Sequence, residues 1–352
     1  MFSNHPLYIE DIKKICLSNI EWSILDNKKV LITGASGMIG TVLVDVLMMR
    51  NQLYNANIKL YALGRNEENA KTRFHSYYNA PFFSFITSDI NKGIGIEEKF
   101  DYIIHCASNT HPNSYATDPI GTILTNIMGT QNILEYAVRC HAKRVMFLSS
   151  VEVYGENRGD TEYFSEDYCG YIDCNTLRAG YPEGKRAGES LCQAFRQQYG
   201  LNVVIPRISR VYGPTILKSD SKALSQFIKR AVLGEDIILK SQGTQYFSYC
   251  YAADAVSALL YILVNGIDGE AYNIASKNSD IYLKDLAAIL ANISKRKVIF
   301  ELPDIIEQQG YSKATKALLN IEKLENLGWS SLYGLKDGLE RTVKIMIGRQ
   351  VQ

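Results

Sequence analysis

The sequence predicts an α/β fold: a doubly wound parallel sheet with a smaller, partly interleaved C-terminal lobe. Three observations carry that prediction. The apolar run Val30-Leu31-Ile32 breaks into a turn holding Gly34, Gly37 and Gly40, and Thr41–Met48 then continues with apolar side chains at helical spacing. Strand-like runs recur with helical stretches between them as far as about Arg207, the alternation expected of a parallel sheet. Beyond Arg207 the loops Tyr212–Ser221 and Lys240–Gln245 interrupt this rhythm, which marks a second lobe.

In chain order, residues 7–25 predict an amphipathic helix that precedes the first strand and packs against the main domain. Strands are expected at Lys59–Leu63, Phe82–Thr87, Tyr102–His105, Val145–Ser149 and Val203–Ile205, and later helices near Lys222–Leu233 and Leu283–Ser294. The expected division is an N-terminal extension over 1–28, a dinucleotide-binding domain over 29–206, and a substrate-binding lobe over 207–352, from which about 246–265 returns to the first domain.

Composition narrows the function. A chain of 352 residues, 46% hydrophobic, is long enough to bury a large core. Its net charge of +1 gives no reason to expect nucleic acid or an anionic membrane as partner. No apolar run is long enough to span a bilayer, and the start MFSNHPLYIEDIKK lacks the pattern of a signal peptide. Seven cysteines form no C-x-x-C pair and five histidines are scattered, so no metal site is expected. The cysteines read as reduced thiols, and a cytoplasmic protein is the expectation.

The G-x-x-G-x-x-G turn between strand and helix suits a dinucleotide. Its glycines let the backbone approach a pyrophosphate at the positive end of the helix. Gly34, Ser36, Gly37, Met38, Ile39 and Gly40 are the candidate contacts. Downstream, Tyr181-Pro182-Glu183-Gly184-Lys185 is Y-x-x-x-K, and Pro182 suits the first turn of a helix. Four residues apart, Tyr181 and Lys185 share a helix face. To act as a base at neutral pH, the tyrosine's pKa near 10 must fall by roughly 3, about 4 kcal/mol. A neighbouring ammonium and a positive nicotinamide favour that ionisation. Ser150, at the end of the apolar run Val145–Leu148, is placed to hold the substrate oxygen that exchanges a proton with Tyr181, and Glu152 follows as a candidate extra base.

These motifs together resemble the extended short-chain dehydrogenase/reductase superfamily, with its Rossmann-type NAD(P)-binding domain and its nucleotide-sugar epimerases, dehydratases, decarboxylases and reductases. The resemblance runs from Lys29 to about Trp329. Asp89-Ile90 is similar to the family's adenine-binding pair, His105-Cys106-Ala107-Ser108 to its H-x-A-A/S segment, and Asn126 to the asparagine that kinks a helix near the active site. Arg207–Pro214 is similar to R-x-x-N-x-Y/F-G-P, Tyr251–Asp254 to Y-V-x-D, and Tyr272-Asn273-Ile274 to F/Y-N-I/L. The resemblance implies Tyr181 as base, Lys185 as its partner and ribose ligand, Ser150 as the hydroxyl-positioning residue, and catalytic contributions from Glu152 and Asn126. It also implies cofactor contacts from Ala107 and Ser108, a homodimer formed through helices of the dinucleotide domain, and a setting in surface polysaccharide biosynthesis.

Within the superfamily the motifs are closest to UDP-glucuronate decarboxylases: Glu166-Asp167-Tyr168 is similar to their E-D-Y, and Arg178–Arg186 to their R-A-x-Y-x-E-G-K-R. Two departures stand out. Val151 occupies the position of their Ser, or of the Asp with which dehydratases expel water. Gly243–Tyr249 lacks the arginine that the family uses on the phosphates or the sugar. Arg210, where the family has Asn, is a candidate replacement; Arg178, Lys218 and Lys222 are further substrate-side candidates.

The strand Leu60–Leu63 ends in Gly64-Arg65-Asn66, with Arg65 where NAD enzymes often carry an acid. Arginine there suits the 2′-phosphate of NADP, so NADP(H) is favoured over NAD. Two outcomes stay open on the residues: redox-neutral epimerisation or decarboxylation with Glu152 as extra base, and net reduction of a nucleotide-linked ketose or keto-sugar by NADPH. A non-catalytic dinucleotide sensor is the alternative from another class.

Overall fold

The computed structural model describes residues 4–110, 115, 117–301 and 314–350. The chain opens with helix α1 (Pro6–Cys16) and then enters β1 (Lys29–Thr33), α2 (Met38–Tyr54), β2 (Lys59–Gly64), α3 (Glu67–Arg73), β3 (Phe83–Thr87) and β4 (Tyr102–His105). It continues through α4 (Pro119–Cys140), β5 (Arg144–Phe147), β6 (Ser149–Ser150), α5 (Gly180–Tyr199), β7 (Val203–Ile208), β8 (Arg210–Tyr212) and α6 (Ala223–Leu233). The remaining elements are β9 (Ile237–Leu239), β10 (Tyr246–Phe247), β11 (Tyr249–Tyr251), α7 (Ala252–Asn265), β12 (Ala271–Ile274), β13 (Ile281–Tyr282), α8 (Leu283–Ser294), β14 (Val298–Phe300), β15 (Lys316–Ala317), α9 (Glu322–Leu327) and α10 (Leu335–Gln350).

The main sheet is parallel in the order β3-β2-β1-β4-β5-β7-β12, and β6 extends β5 alongside β7. Its strand order reverses between β1 and β4, so the carboxyl ends of those strands flank the crevice where such sheets bind ligands. Helices cover both faces, and the strands are accordingly apolar throughout: Val30, Leu31 and Ile32 are wholly buried, as are Ile103 and Ile104. β12 closes the sheet beyond β7, and α7 packs on α2 and β7. β8 pairs with β11, while β10 lies between β13 and β15 in a small separate sheet.

The N-terminal helix is shorter than the pattern of residues 7–25 suggests. Pro6 sits in its first turn, where a missing N–H costs nothing, and His5 caps it through Nδ1. It ends at Cys16, and a 3-10 turn at Trp22–Ile24 completes the segment. Two buried carboxylates fasten it. Tyr8 donates to Asp45 on α2 at 2.5 Å, while Asp11 accepts from Arg341 on α10 at 2.7 Å and from Tyr251 at 2.5 Å. Burial pushes the Asp45 carboxyl up to about 6, against hydrogen bonds from Tyr8 and Tyr77 and the charge of Arg73. Because this pKa lies above the unfolded value near 3.9, the stability it brings is full below about pH 4 and is lost as pH rises through about 6. Asp45→Asn is expected to remove that loss. Urea unfolding at pH 4 and pH 7.5 should find the variant gaining on the parent by about 2–3 kcal/mol between the two; a difference independent of pH contradicts this.

Candidate active site

The glycine turn fills the space between β1 and α2. Gly34 adopts φ +65°, and a Cβ there would come within 2.8 Å of the Ala107 backbone. A Cβ on Gly40 would meet the Gly34 carbonyl at 2.5 Å, so this glycine lets the helix seat against the turn. No side chain caps α2 at Gly37, which leaves the N–H groups of its first turn, Met38 to Gly40, available to an anion. Ser36 lies beside Gly64 at the end of β2, and Arg65 follows, exposed and free of any described partner. Across the crevice Ala107 N–H donates to Thr33 Oγ1 at 3.2 Å, and Ser108 donates to Asn126 Oδ1 at 2.8 Å. Asp89 caps its own turn through Asn91 N–H, and Ile90 is buried against Gly129 of α4. These features fit a dinucleotide: a backbone cradle that a side chain would fill, an uncapped helix start, and a hydrogen-bonding wall opposite.

The reacting end lies at the carboxyl end of β6. Ser150 caps the 3-10 turn Val151–Tyr154 by accepting from Glu152 N–H at 3.2 Å. That contact uses an oxygen lone pair and leaves the hydroxyl proton free for a partner. Val151 points into the core, 5% exposed, so no acid stands at that position. Helix α5 brings Tyr181 and Lys185 to the same wall, 6% and 3% exposed. The Tyr181 phenol is raised by burial to about 12, lowered by hydrogen bonding with Ser150, raised by Glu152 and lowered by Arg178.

Lys185 lies one turn after Tyr181 on α5. Its ammonium donates to the Leu148 carbonyl at 2.7 Å and sits 4.7 Å from the centre of the Phe147 ring but 6.0 Å from that of Tyr181. Burial lowers Lys185 itself to about 8. The protein alone therefore holds Tyr181 as a neutral phenol. Asn126 is buried on α4, donates to the Thr122 carbonyl of its own helix at 2.8 Å and accepts from Ser108, and α5 presses against it at Gly184.

Glu152 is held by Arg178 at 2.9 Å, each side chain about one-quarter exposed. The Arg178 guanidinium lies 4.7 Å from the centre of the Tyr115 ring, and Tyr115 stacks on Tyr181 at 5.2 Å and 27°. Arg210, from β8, lies over the Phe247 ring at 3.4 Å. Ser150, Glu152, Arg178, Tyr181 and Arg210 thus converge. Lys222 is half-buried just before α6, and Lys218 is exposed. Tyr115 carries no mark in the sequence, because a stack between distant aromatic residues leaves no periodic pattern. The motif residues Glu166 and Arg207 are structural. Arg207 pairs bidentately with Glu189 at 3.0 and 2.6 Å, and Glu166 accepts from Asn273 N–H of β12 at 2.8 Å.

Among the described residues no cluster of His, Cys, Asp or Glu suits a metal, all seven cysteines are free, and no helix is long and apolar enough to cross a membrane.

The chain is similar to UDP-glucuronic acid decarboxylase 5 of Arabidopsis thaliana, 33% identical over 316 residues that cover 89% of this chain and 87% of that one. It is similar also to UDP-glucuronic acid decarboxylase 1 of Danio rerio, 31% identical over 91% of this chain and 72% of that one. Its fold matches the UDP-glucuronic acid 4-epimerase of Bacillus cereus, solved in complex with UDP-glucuronic acid and NAD, with a TM-score of 0.77 at 24% identity over 92% of this chain and 100% of that one. Residues 30–275 match the model of a single family, from β1 to just past β12. The chain belongs to the NAD dependent epimerase/dehydratase family.

Proposed function

We propose that the protein converts a nucleotide-activated sugar without net redox change, moving a hydride off and back onto the sugar in one turnover. The observation that carries this reading is the convergence of Ser150 and Tyr181 with a second acid–base group, Glu152, in one largely buried pocket. Hydride transfer alone needs one proton shuttle; a second titratable group beside it suits an epimerisation or decarboxylation that follows. The names of the 33% and 31% identical relatives support a nucleotide sugar as substrate.

The dinucleotide supplies hydride acceptance and return when bound. The backbone of Gly34 to Gly40, with Ser36, would hold its pyrophosphate, Asp89 and Ile90 its adenine, and Ala107, Ser108, Tyr181 and Lys185 its nicotinamide half. Tyr181 takes the proton of the sugar hydroxyl and returns it, Ser150 orients that hydroxyl, and Lys185 fixes the ribose side of the wall. Burial makes the neutral phenol the resting state, so ionisation of Tyr181 belongs to the loaded enzyme, whose positive nicotinamide ring opposes the burial.

A second reading, net reduction of a nucleotide-linked ketose or keto-sugar, is favoured by Arg65. Exposed just after β2, and without a partner among the described residues, it suits a 2′-phosphate and supports NADP(H) over NAD. Proton NMR of a panel of UDP-linked sugars incubated with the loaded enzyme separates the two. Redox-neutral chemistry gives product with no net change in dinucleotide absorbance, and reduction consumes NADPH in step with product.

We also propose a homodimer through α4. Ile120, Ile123, Leu124 and Met128 recur at helical spacing on that helix and are 38–71% exposed, an apolar stripe that a second copy would cover. Light scattering should give about twice the 39.6 kDa chain mass; a monomer at micromolar concentration contradicts this.

A further inference from the structure

The first turn of α2 is held by side chains that come from outside the glycine turn. Thr215, wholly buried, donates its hydroxyl proton to the Met38 carbonyl at 2.9 Å. Arg73, the last residue of α3, donates from Nε to Thr41 Oγ1 at 2.6 Å and from Nη2 to the Thr215 carbonyl at 2.7 Å. One guanidinium therefore spans from α2 to the turn after β8, and the Thr215 hydroxyl closes the ring back onto α2. That turn is stiff. Ile216 N–H donates to the Gly213 carbonyl at 3.3 Å, and Pro214 fixes one of the central φ angles. A Cβ on Gly213 would meet the Ala252 side chain at 2.6 Å, so the turn is seated against the start of α7.

The place of the Thr215 bond matters because the Met38 carbonyl and the Ile39 N–H belong to one planar peptide unit. A donor on the oxygen polarises the unit and strengthens its N–H, by about 10–30% per bond. Ile39 N–H is one of the first-turn groups suited to a pyrophosphate. Arg73 acts in the same direction. A cation beside the start of a helix opposes the helix dipole, and an anion bound at that start relieves the opposition. We propose that Thr215 and Arg73 form a latch that keeps the dinucleotide on the protein. They are positioning residues: they set the Met38–Ile39 peptide for the pyrophosphate and slow the departure of the dinucleotide. The inference rests on the proposed function, because a dinucleotide regenerated in every turnover works only while it stays bound.

Exchange of bound dinucleotide against isotope-labelled NAD⁺ or NADP⁺, followed by mass spectrometry on the whole chain, tests this. Thr215→Val keeps the shape of the side chain and loses the hydroxyl. It is expected to release the dinucleotide about tenfold faster than wild type, the scale of one hydrogen bond. Thr215→Ser keeps the hydroxyl and should stay within about twofold of wild type. Packing alone ranks the two variants the other way, since serine leaves a methyl-sized gap and valine does not. Arg73→Lys keeps the charge that Asp45 feels but lacks the fork that reaches Thr41 and Thr215 together. It should release about threefold faster or more, and it carries the test should Thr215→Val fail to fold. Wild-type retention in Thr215→Val or in Arg73→Lys overturns the latch, and so does a Thr215→Ser variant that releases as fast as Thr215→Val. Those outcomes leave the redox-neutral reading standing, whereas a wild type that binds neither dinucleotide removes that reading and the latch together.

Discussion

Tyr181→Phe is expected to lower turnover by about 10²–10⁴-fold, the range for loss of a positioned proton-transfer group, while leaving dinucleotide binding intact. The substitution removes one oxygen and keeps the ring, so the stack on Tyr115 and the packing of α5 survive. Ser150 would then have no hydroxyl partner across the substrate oxygen. Fluorescence titration of the dinucleotide together with the steady-state rate separates the two effects, and a loss confined to KM would mean that Tyr181 binds rather than shuttles. The same variant bears on the sensor alternative. Full biological activity of a Tyr181→Phe protein in cells would favour a sensor, which has no use for Ser150, Tyr181 and Lys185 as a set.

Glu152→Gln carries the second large effect, and its size depends on the reaction. In an epimerisation or decarboxylation the acid–base group is required after hydride transfer, so the loss should again reach about 10²–10⁴-fold. In a net reduction Tyr181 alone completes the proton transfer, and the variant would only be slowed. The substitution also leaves the Arg178 cation without its counter-charge. Because that cation lies close to Tyr181, the phenol would ionise more readily and the pH–rate profile should shift toward acid. A profile that keeps its position while the rate collapses assigns Glu152 to chemistry alone. Unchanged turnover removes it from the mechanism.

The parts of this protein that are legible in the sequence are those whose physics is local. Val30–Ile32, the three glycines and the helix after them form one contiguous unit, and Y-x-x-x-K is one turn of one helix. The strands at Lys59–Gly64, Phe83–Thr87 and Tyr102–His105 follow from apolar runs that only a doubly covered sheet can bury. What stays hidden depends on residues far apart in the chain. Tyr8 meets Asp45, and Asp11 meets Arg341 and Tyr251, through the packing of α1 against α2, α10 and β11. The stack of Arg178, Tyr115 and Tyr181 and the placement of Arg210 on Phe247 likewise join residues that lie far apart in the chain. Proximity in sequence also misleads about charge. Lys185 is four residues from Tyr181 on one helix face, yet its ammonium donates to the Leu148 carbonyl and lies 6.0 Å from the centre of the Tyr181 ring.

A redox-neutral turnover runs on a dinucleotide that stays with the protein, and mass spectrometry of the nucleotide released when freshly purified protein is denatured tests this. A dinucleotide near one equivalent per chain and in its oxidised form is expected, because a cofactor regenerated in every cycle has no need to leave. Its mass distinguishes NAD from NADP, and so tests the reading of Arg65 in the same experiment. An empty protein that afterwards binds NADPH far more tightly than NADP⁺ or NAD⁺ would contradict the claim and assign the site to net reduction.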